Sequence, residues 1–386
     1  MGGEGRCYLA MNLKALRAKL GRGVRKAGKS LGLPVNGPIG VRHGRPKGAK
    51  TVDEERTKEV PPSHPVLPKI HPLLATNPIS YRSTWVQRFK GLKVFGPTVS
   101  VVDGGGGQLA DVSVEWGKKA EDNWIFRRLS LPKRQVVDGQ TLILASTGGD
   151  TYFHWMTDVL PRLRLARRAG YDPASFKWVL VNGLIHPFQR ESLHQLGIQA
   201  NRCLAFHKKE LVYEMEEAVL PSLPGVPGVV PPESVDFLRN AFPSGKAPRS
   251  RKIFIGRGEV KHRPLIHEKE IWAQLQKMGF DCVDCAKLSV QKQAEVFGSA
   301  EVVVGGHGAA LTNLVFCKPG AHVVELFSPL YVNPCYRDLC VAADLKHSAV
   351  IGDGQDWVLS EVHDKPSAPI TASWELIDEA LGELER

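Results

Sequence analysis

From about residue 140 the chain alternates short apolar runs with helix-length amphipathic segments. Thr141-Leu142-Ile143-Leu144 precedes a helical stretch from Trp155 to Ala169, and Trp178-Val179-Leu180-Val181 precedes another from Pro187 to Leu196. Alternation of this kind predicts a parallel sheet covered by helices. Seven prolines, at 221, 224, 227, 231, 232, 243 and 248, interrupt it and mark a boundary between lobes. The alternation then resumes: strand 252–255, helix 268–278, strand 280–283, helix 289–297, strand 301–304, a helix opening at Ala309 and strand 322–325. These are consecutive βα units of the doubly wound type. Trp374 to Arg386 is rich in Leu and Glu and predicts a closing helix.

Before residue 140 the pattern differs. Lys93-Val94-Phe95, Val99 to Val102 and Leu109 to Val114 are short, β-branched and bounded by turns, so they predict strands. Asp103-Gly104-Gly105-Gly106-Gly107 is a connection and not a phosphate loop, because no helix follows it. From Arg42 to about Pro68 the Gly-, Pro- and Lys-rich composition is that of a linker.

Charge changes the picture of the first segment only. The chain carries a net charge of +11, and residues 1–50 hold twelve Lys and Arg against the single acid Glu4, so the remaining body is balanced. A nucleic-acid role would therefore rest on the tail alone, and the body argues against one. Leu9, Leu13, Leu16 and Leu20 stand at helical spacing among these cations. The tail reads either as an amphipathic helix on an anionic membrane surface or, given Gly21, Gly23, Gly28 and Gly32, as a disordered basic arm. No apolar run approaches the roughly 18 residues that a spanning helix needs, and the start lacks a secretory apolar core. Seven scattered cysteines favour a reducing compartment, and a cytoplasmic location is the simplest expectation. Cys282 and Cys285 have CxxC spacing without a matching second pair, so buried or half-buried thiols are favoured over zinc or redox use.

Three segments carry candidate chemistry. In Val304-Gly305-Gly306-His307-Gly308-Ala309, followed by Leu311-Thr312-Asn313, a buried strand runs into small residues that open a helix. Free N–H groups and close backbone approach suit a pyrophosphate there, the bland alternative being a tight turn with a packed histidine. No G-x-G-x-x-G is present, which disfavours nicotinamide or flavin; no cofactor is expected. Arg257 and Arg263 follow a strand at its carboxyl end, where a guanidinium fork meets phosphate oxygens unless it is merely solvated. His154 and Asp158 are i and i+4 on one helix face, either a structural pair or an acid–base pair able to take a proton from a hydroxyl.

Tyr152-Phe153-His154-Trp155 with Asp158 and Leu160-Pro161-Arg162, then Gly306-His307-Gly308-Ala309 with Leu311-Thr312-Asn313, resembles glycosyltransferase family 61 over about residues 85–350. Arg257, Arg263, Glu268, Gln293 and Glu325 also fall in the family's order, whereas Gly256, His262 and His267 stand where it usually has Ser, Arg and Asn. The resemblance implies an α/β fold of two Rossmann-like lobes (GT-B type) with a cleft between them. A basic tail and linker (1–68) would precede an acceptor-side lobe (69–245), a nucleotide-sugar-binding lobe (246–355) and a closing segment (356–386).

It further implies inverting transfer from a nucleotide sugar, UDP-linked above others, to a glycan or lipid-linked glycan, with bacterial capsule or lipopolysaccharide as the product. Arg257, Arg263, Gly306, His307, Gly308, Ala309, Asn313 and Glu325 would bind the donor, and Asp158, partnered or replaced by His154, would be the base. The sequence has no Asp-x-Asp to hold a divalent ion, so metal-independent transfer is expected. The competing reading is a nucleotide-sugar-binding regulatory relative without catalysis.

Overall fold

A computed structural model describes residues 19–27, 38–64, 66–69, 71–75, 77–128, 131–206, 210–352 and 365–383. The chain divides into two compact units, residues 1–54 with 83–224 and residues 55–82 with 225–386. The break after Pro224 falls inside the proline-rich stretch. Pro231 and Pro232 there open the helix Pro232–Ala241, since a proline at the first helical position lacks only an N–H that has no intrahelical partner anyway.

The first unit is built on a nine-stranded mixed sheet. Lys133–Ile143, Trp178–Val181 and Cys203–Ala205 run parallel, as the alternation predicts. Leu211–Pro221 adds a parallel neighbour to Lys133–Ile143 and is itself antiparallel to the long strand Thr84–Phe95. Antiparallel strands Ser100–Val102 and Gly107–Leu109 extend that flank, so this unit is a mixed sheet and departs from a Rossmann-like lobe. The glycine run is the hairpin turn, with Gly107 N–H donated to Asp103 Oδ1 at 2.9 Å. The strand expected at 109–114 stops at Leu109 and continues as the short 3-10 turn Ala110–Val112, where Ser113 Oγ meets the Val101 N–H at 2.8 Å.

Residues that read as linker supply strands. Gly40–Arg42 pairs with Gly107–Leu109, Lys50–Asp53 with Thr84–Phe95, Arg56–Lys58 with Ile79–Tyr81 and Val66–Leu67 with Lys346–Ile351. Short edge strands are held by backbone ladders and need few apolar side chains, which is why composition conceals them. Within the tail, residues 19–27 form a helix with Leu20 and Val24 exposed, and Arg22 lies over the Phe126 ring at 5.0 Å. Leu9, Leu13 and Leu16 lie outside the described residues.

The second unit holds a six-stranded parallel sheet in the order Phe280–Val283, Arg251–Ile255, Ala300–Gly306, His322–Phe327, Lys346–Ile351, Val66–Leu67. Counted within the unit's main run, the first five strands follow the doubly wound order 2-1-3-4-5. Helix Glu268–Lys277 and the closing helix Trp374–Gly382 cover one core, in which Ile271, Leu275, Ile377 and Ala380 meet Phe254, Val304, Val324 and Val350. Among the described residues no helix is long and apolar enough to cross a membrane.

Candidate functional site

Strand order alone locates a binding crevice in the second unit. The direction of winding reverses between Arg251–Ile255 and Ala300–Gly306, and ligands of such sheets bind outside the carboxyl ends of the strands at that reversal. Those two ends deliver Gly256-Arg257 and Gly306-His307-Gly308. Next comes a 3-10 helix, Ala309–Phe316, rather than the expected α-helix, and Asn313 fixes it by donating to Gln293 Oε1 at 2.6 Å and to the Ala310 carbonyl at 3.0 Å.

Arg257 donates from Nε to the Arg263 carbonyl at 3.0 Å and from Nη2 to the His262 carbonyl at 2.5 Å. Its Nη1 lies against Gly308, where a Cβ would overlap it, and has no hydrogen-bond partner among the described residues. Arg263 donates from Nε to the His307 carbonyl at 2.9 Å and from Nη1 to the Pro366 carbonyl, which leaves its Nη2 likewise without a partner there. Burial first, and then the Arg263 charge, press the Arg257 pKa down. An anion between the two guanidiniums relieves that repulsion. Glu268 shapes the loop by accepting the Arg257 N–H at 2.7 Å and the Gly258 N–H at 3.0 Å. Arg263 and His267 both have positive φ, at 53° and 58°. Left-handed backbone is uncommon for residues other than Gly and Asn, and two such residues in one loop make it a candidate site.

His307 is buried and held on every side. Its ring stacks on Phe327 at 5.3 Å and meets Tyr331 and Tyr336 at 5.5 and 5.2 Å. Nδ1 lies 2.5 Å from Glu325 Oε1; the other Glu325 oxygen is 2.9 Å from His347 Nε2, and His347 Nδ1 is 2.7 Å from Ser63 Oγ. Burial raises Glu325 well above the carboxylate range and lowers both imidazoles to about 3, so both rings are neutral near pH 7. A neutral Glu325 donates from one oxygen and accepts at the other. An anion at His307 Nε2 selects the arrangement in which Glu325 donates to Nδ1 and Nε2 carries the hydrogen. His347 and Ser63 escaped the sequence reading because the fold, not sequence spacing, brings them to Glu325.

These rings make stability depend on pH. His307 and His347 titrate at about 3, and His322 at about 4 through burial and then the Lys346 charge, against an ordinary 6.5. Between pH 6.5 and 4 the unfolded chain binds protons on these rings that the folded chain does not, so stability falls as pH drops through that window. Glu325, whose folded pKa is raised by burial, opposes this above pH 4.5. The thermal midpoint should decline from pH 7 to pH 4, and His322→Gln, which can keep the 2.7 Å bond to Ser348 Oγ, should flatten the decline. An unchanged slope in that variant would contradict the assignment.

In the first unit the predicted helix is broken into three pieces, Tyr152–His154, a π-helical turn Trp155–Val159 and Pro161–Arg168. Pro161 forces this: its ring clashes with the carbonyl four residues back, and the Leu160 N–H instead reaches Trp155 O at 3.0 Å. The turn brings His154 Nδ1 within 2.6 Å of Asp158 Oδ2. Asp158 is buried, whereas the His154 side chain is 17% exposed and its Nε2 has no partner among the described residues. Arg162, at the end of Leu160-Pro161-Arg162, is fully buried and donates to the Ala145 and Pro221 carbonyls.

Among the described cysteines, Cys285 is half-buried as expected, whereas Cys282 is exposed. The six described ones are all free, and burial raises Cys285 to about 12 and also raises Cys282, so neither is a thiolate near neutrality.

Residues 152–324 match the family model described as Glycosyltransferase 61. The chain is 29% identical over 204 residues to the Beta-1,2-xylosyltransferase RCN11 of Oryza sativa subsp. japonica, an alignment that covers 48% of this chain and 35% of the relative. The chain thus spans about a third of the length of that relative. Both similarities are to glycosyltransferases. The matched stretch takes in His154, Asp158, Arg257, Arg263 and the Gly306–Asn313 segment, and ends one residue before Glu325.

Proposed function

We propose that the protein is an inverting, metal-independent glycosyltransferase that moves a sugar from a UDP-linked donor to a glycan. The observation that carries this reading is the crevice at the strand-order reversal, where Arg257 Nη1, Arg263 Nη2 and His307 Nε2 are uncommitted beside Gly306-His307-Gly308. The donor diphosphate takes those donors together with the first N–H groups of the helix at Ala309, which no residue of that helix can satisfy. As the bond from the sugar's anomeric carbon to the phosphate oxygen breaks, the diphosphate leaves as an anion on the two arginines. The acceptor oxygen forms the new bond from the opposite face and gives up its proton to the base.

Burial favours His154 as that base. Asp158 accepts the Nδ1 hydrogen and leaves the Nε2 lone pair for the acceptor hydroxyl, the orienting role that a buried carboxylate plays beside an imidazole. The rice relative's xylosyl transfer supports a pentose donor. Capsule or lipopolysaccharide is the acceptor that the family resemblance points to, and a plant-type xylosyl acceptor is the second class to test. The charge of residues 1–50 supports attachment to an anionic membrane surface on the cytoplasmic side.

Binding and hydrolysis across UDP-, GDP- and CMP-sugars, with and without a chelator, test the reading. Chelator-insensitive turnover of one UDP-sugar supports it; binding without any turnover would instead favour the regulatory alternative. Gly308→Ala is the sharper probe, because the added Cβ displaces only the end of a flexible arginine. Its fold should be unchanged and its UDP affinity lower by roughly 10- to 100-fold, the loss of one or two charge-assisted hydrogen bonds. Wild-type affinity in a folded Gly308→Ala protein would remove Arg257 from the donor site.

A further inference from the structure

We infer that Trp116 is the platform on which a pyranose ring of the acceptor glycan stacks while it presents a hydroxyl to His154. This rests on the glycosyltransferase reading and names a part of its acceptor site that lies outside the family-matched residues 152–324.

Among the described residues Trp116 is the one aromatic side chain among the exposed large hydrophobic groups, at 53% exposure. It is nevertheless held in place. Its ring stacks on the His154 imidazole, with centroids 4.9 Å apart and planes at 29°. Thr147 Oγ1 ties the neighbouring loop to the Val114 carbonyl at 2.6 Å, and Glu115 anchors the turn by accepting the Trp124 N–H at 2.9 Å. Gly148, at φ +74°, permits the stack: a Cβ there would come within 2.5 Å of Trp116 Cη2 and 2.8 Å of His154 Cδ2. A fixed indole with an open surface beside an acid–base pair has the shape of a ligand platform.

The chemistry of the occupant follows from the two kinds of surface on offer. A pyranose has a flat face of C–H groups and a rim of hydroxyls, which match an indole surface and its polar surroundings respectively. On the polar side, His154 Nε2 is uncommitted.

The test uses the full chain, its Trp116→Ala and Trp116→Phe variants, and a panel of xylo-, manno- and gluco-oligosaccharides followed by saturation-transfer NMR. UDP binding and UDP-sugar hydrolysis are measured in parallel. At least one oligosaccharide should bind the wild type; Trp116→Ala should weaken it 10-fold or more, and Trp116→Phe should retain most of the affinity. UDP affinity and circular dichroism should be unchanged in both variants. The inference is overturned if no oligosaccharide of the panel binds the wild type, or if Trp116→Ala binds as the wild type does. Absence of UDP binding and of UDP-sugar hydrolysis in the wild type would sink the transferase reading instead, whatever Trp116 does.

Discussion

Replacing Asp158 with Asn should cut the rate of sugar transfer by about 10²- to 10⁴-fold with little change in UDP affinity. The carboxylate is 6% exposed and accepts from His154 Nδ1, so its role is to fix which ring nitrogen carries the hydrogen. An amide of the same shape can turn its NH₂ toward Nδ1, which places the ring hydrogen on Nε2 and removes the lone pair that the acceptor proton needs. His154→Gln removes the proposed base and should cost at least as much. Because the two residues act as a unit, the double variant should be no slower than His154→Gln alone, and strict additivity would mean that they act separately. Transfer by Asp158→Asn within about threefold of wild type would end the case for this dyad.

Much of the second unit is legible in the sequence because its strands are buried on both faces. Val302-Val303-Val304 and Val323-Val324 are continuous apolar runs that can be little else between helical segments. Leu211–Pro221 is different: its register shifts between Met215 and Glu217, so the consecutive Glu216 and Glu217 break the alternation that would have marked a strand. Leu109 to Val114 shows the opposite failure, a β-like composition turned aside by local hydrogen bonds to Ser113 and Asn123.

The site divides along the same line. His154 and Asp158 could be paired from a spacing of four, since consecutive helical turns bring such residues together and the π turn preserves the contact. Glu325 could be placed only through family likeness, and its partners are fixed by sheet order, which sets Glu325 opposite Ala349 with His347 two residues away on that neighbouring strand. Ser63 reaches His347 because Val66–Leu67 pairs with that same strand, a long-range consequence of topology that local pattern does not carry. Trp116 carries no signal in the local sequence pattern; only the fold puts its ring on His154.

The largest loss of stability should come from Arg162→Met, which should lower stability by about 3–5 kcal/mol and the thermal midpoint by roughly 10 °C. Arg162 is 1% exposed, and its guanidinium joins the Ala145 and Pro221 carbonyls, which lie just past or at the carboxyl ends of Lys133–Ile143 and Leu211–Pro221. Burial pulls its pKa down to about 9 against the supporting charge of Asp158, so the cation is kept at a cost that its hydrogen bonds must cover. Methionine fills the volume but leaves both carbonyls unsatisfied, at about 1–3 kcal/mol each, and takes the compensating charge from Asp158 one helical turn away. Lysine restores the charge without the planar fork, so Arg162→Lys should recover part of the loss and no more. Since Asp158 sets the His154 tautomer, the folded fraction of Arg162→Met should also transfer sugar more slowly than wild type. A midpoint within about 2 °C of wild type would mean that water reaches those strand ends and that the clamp contributes little.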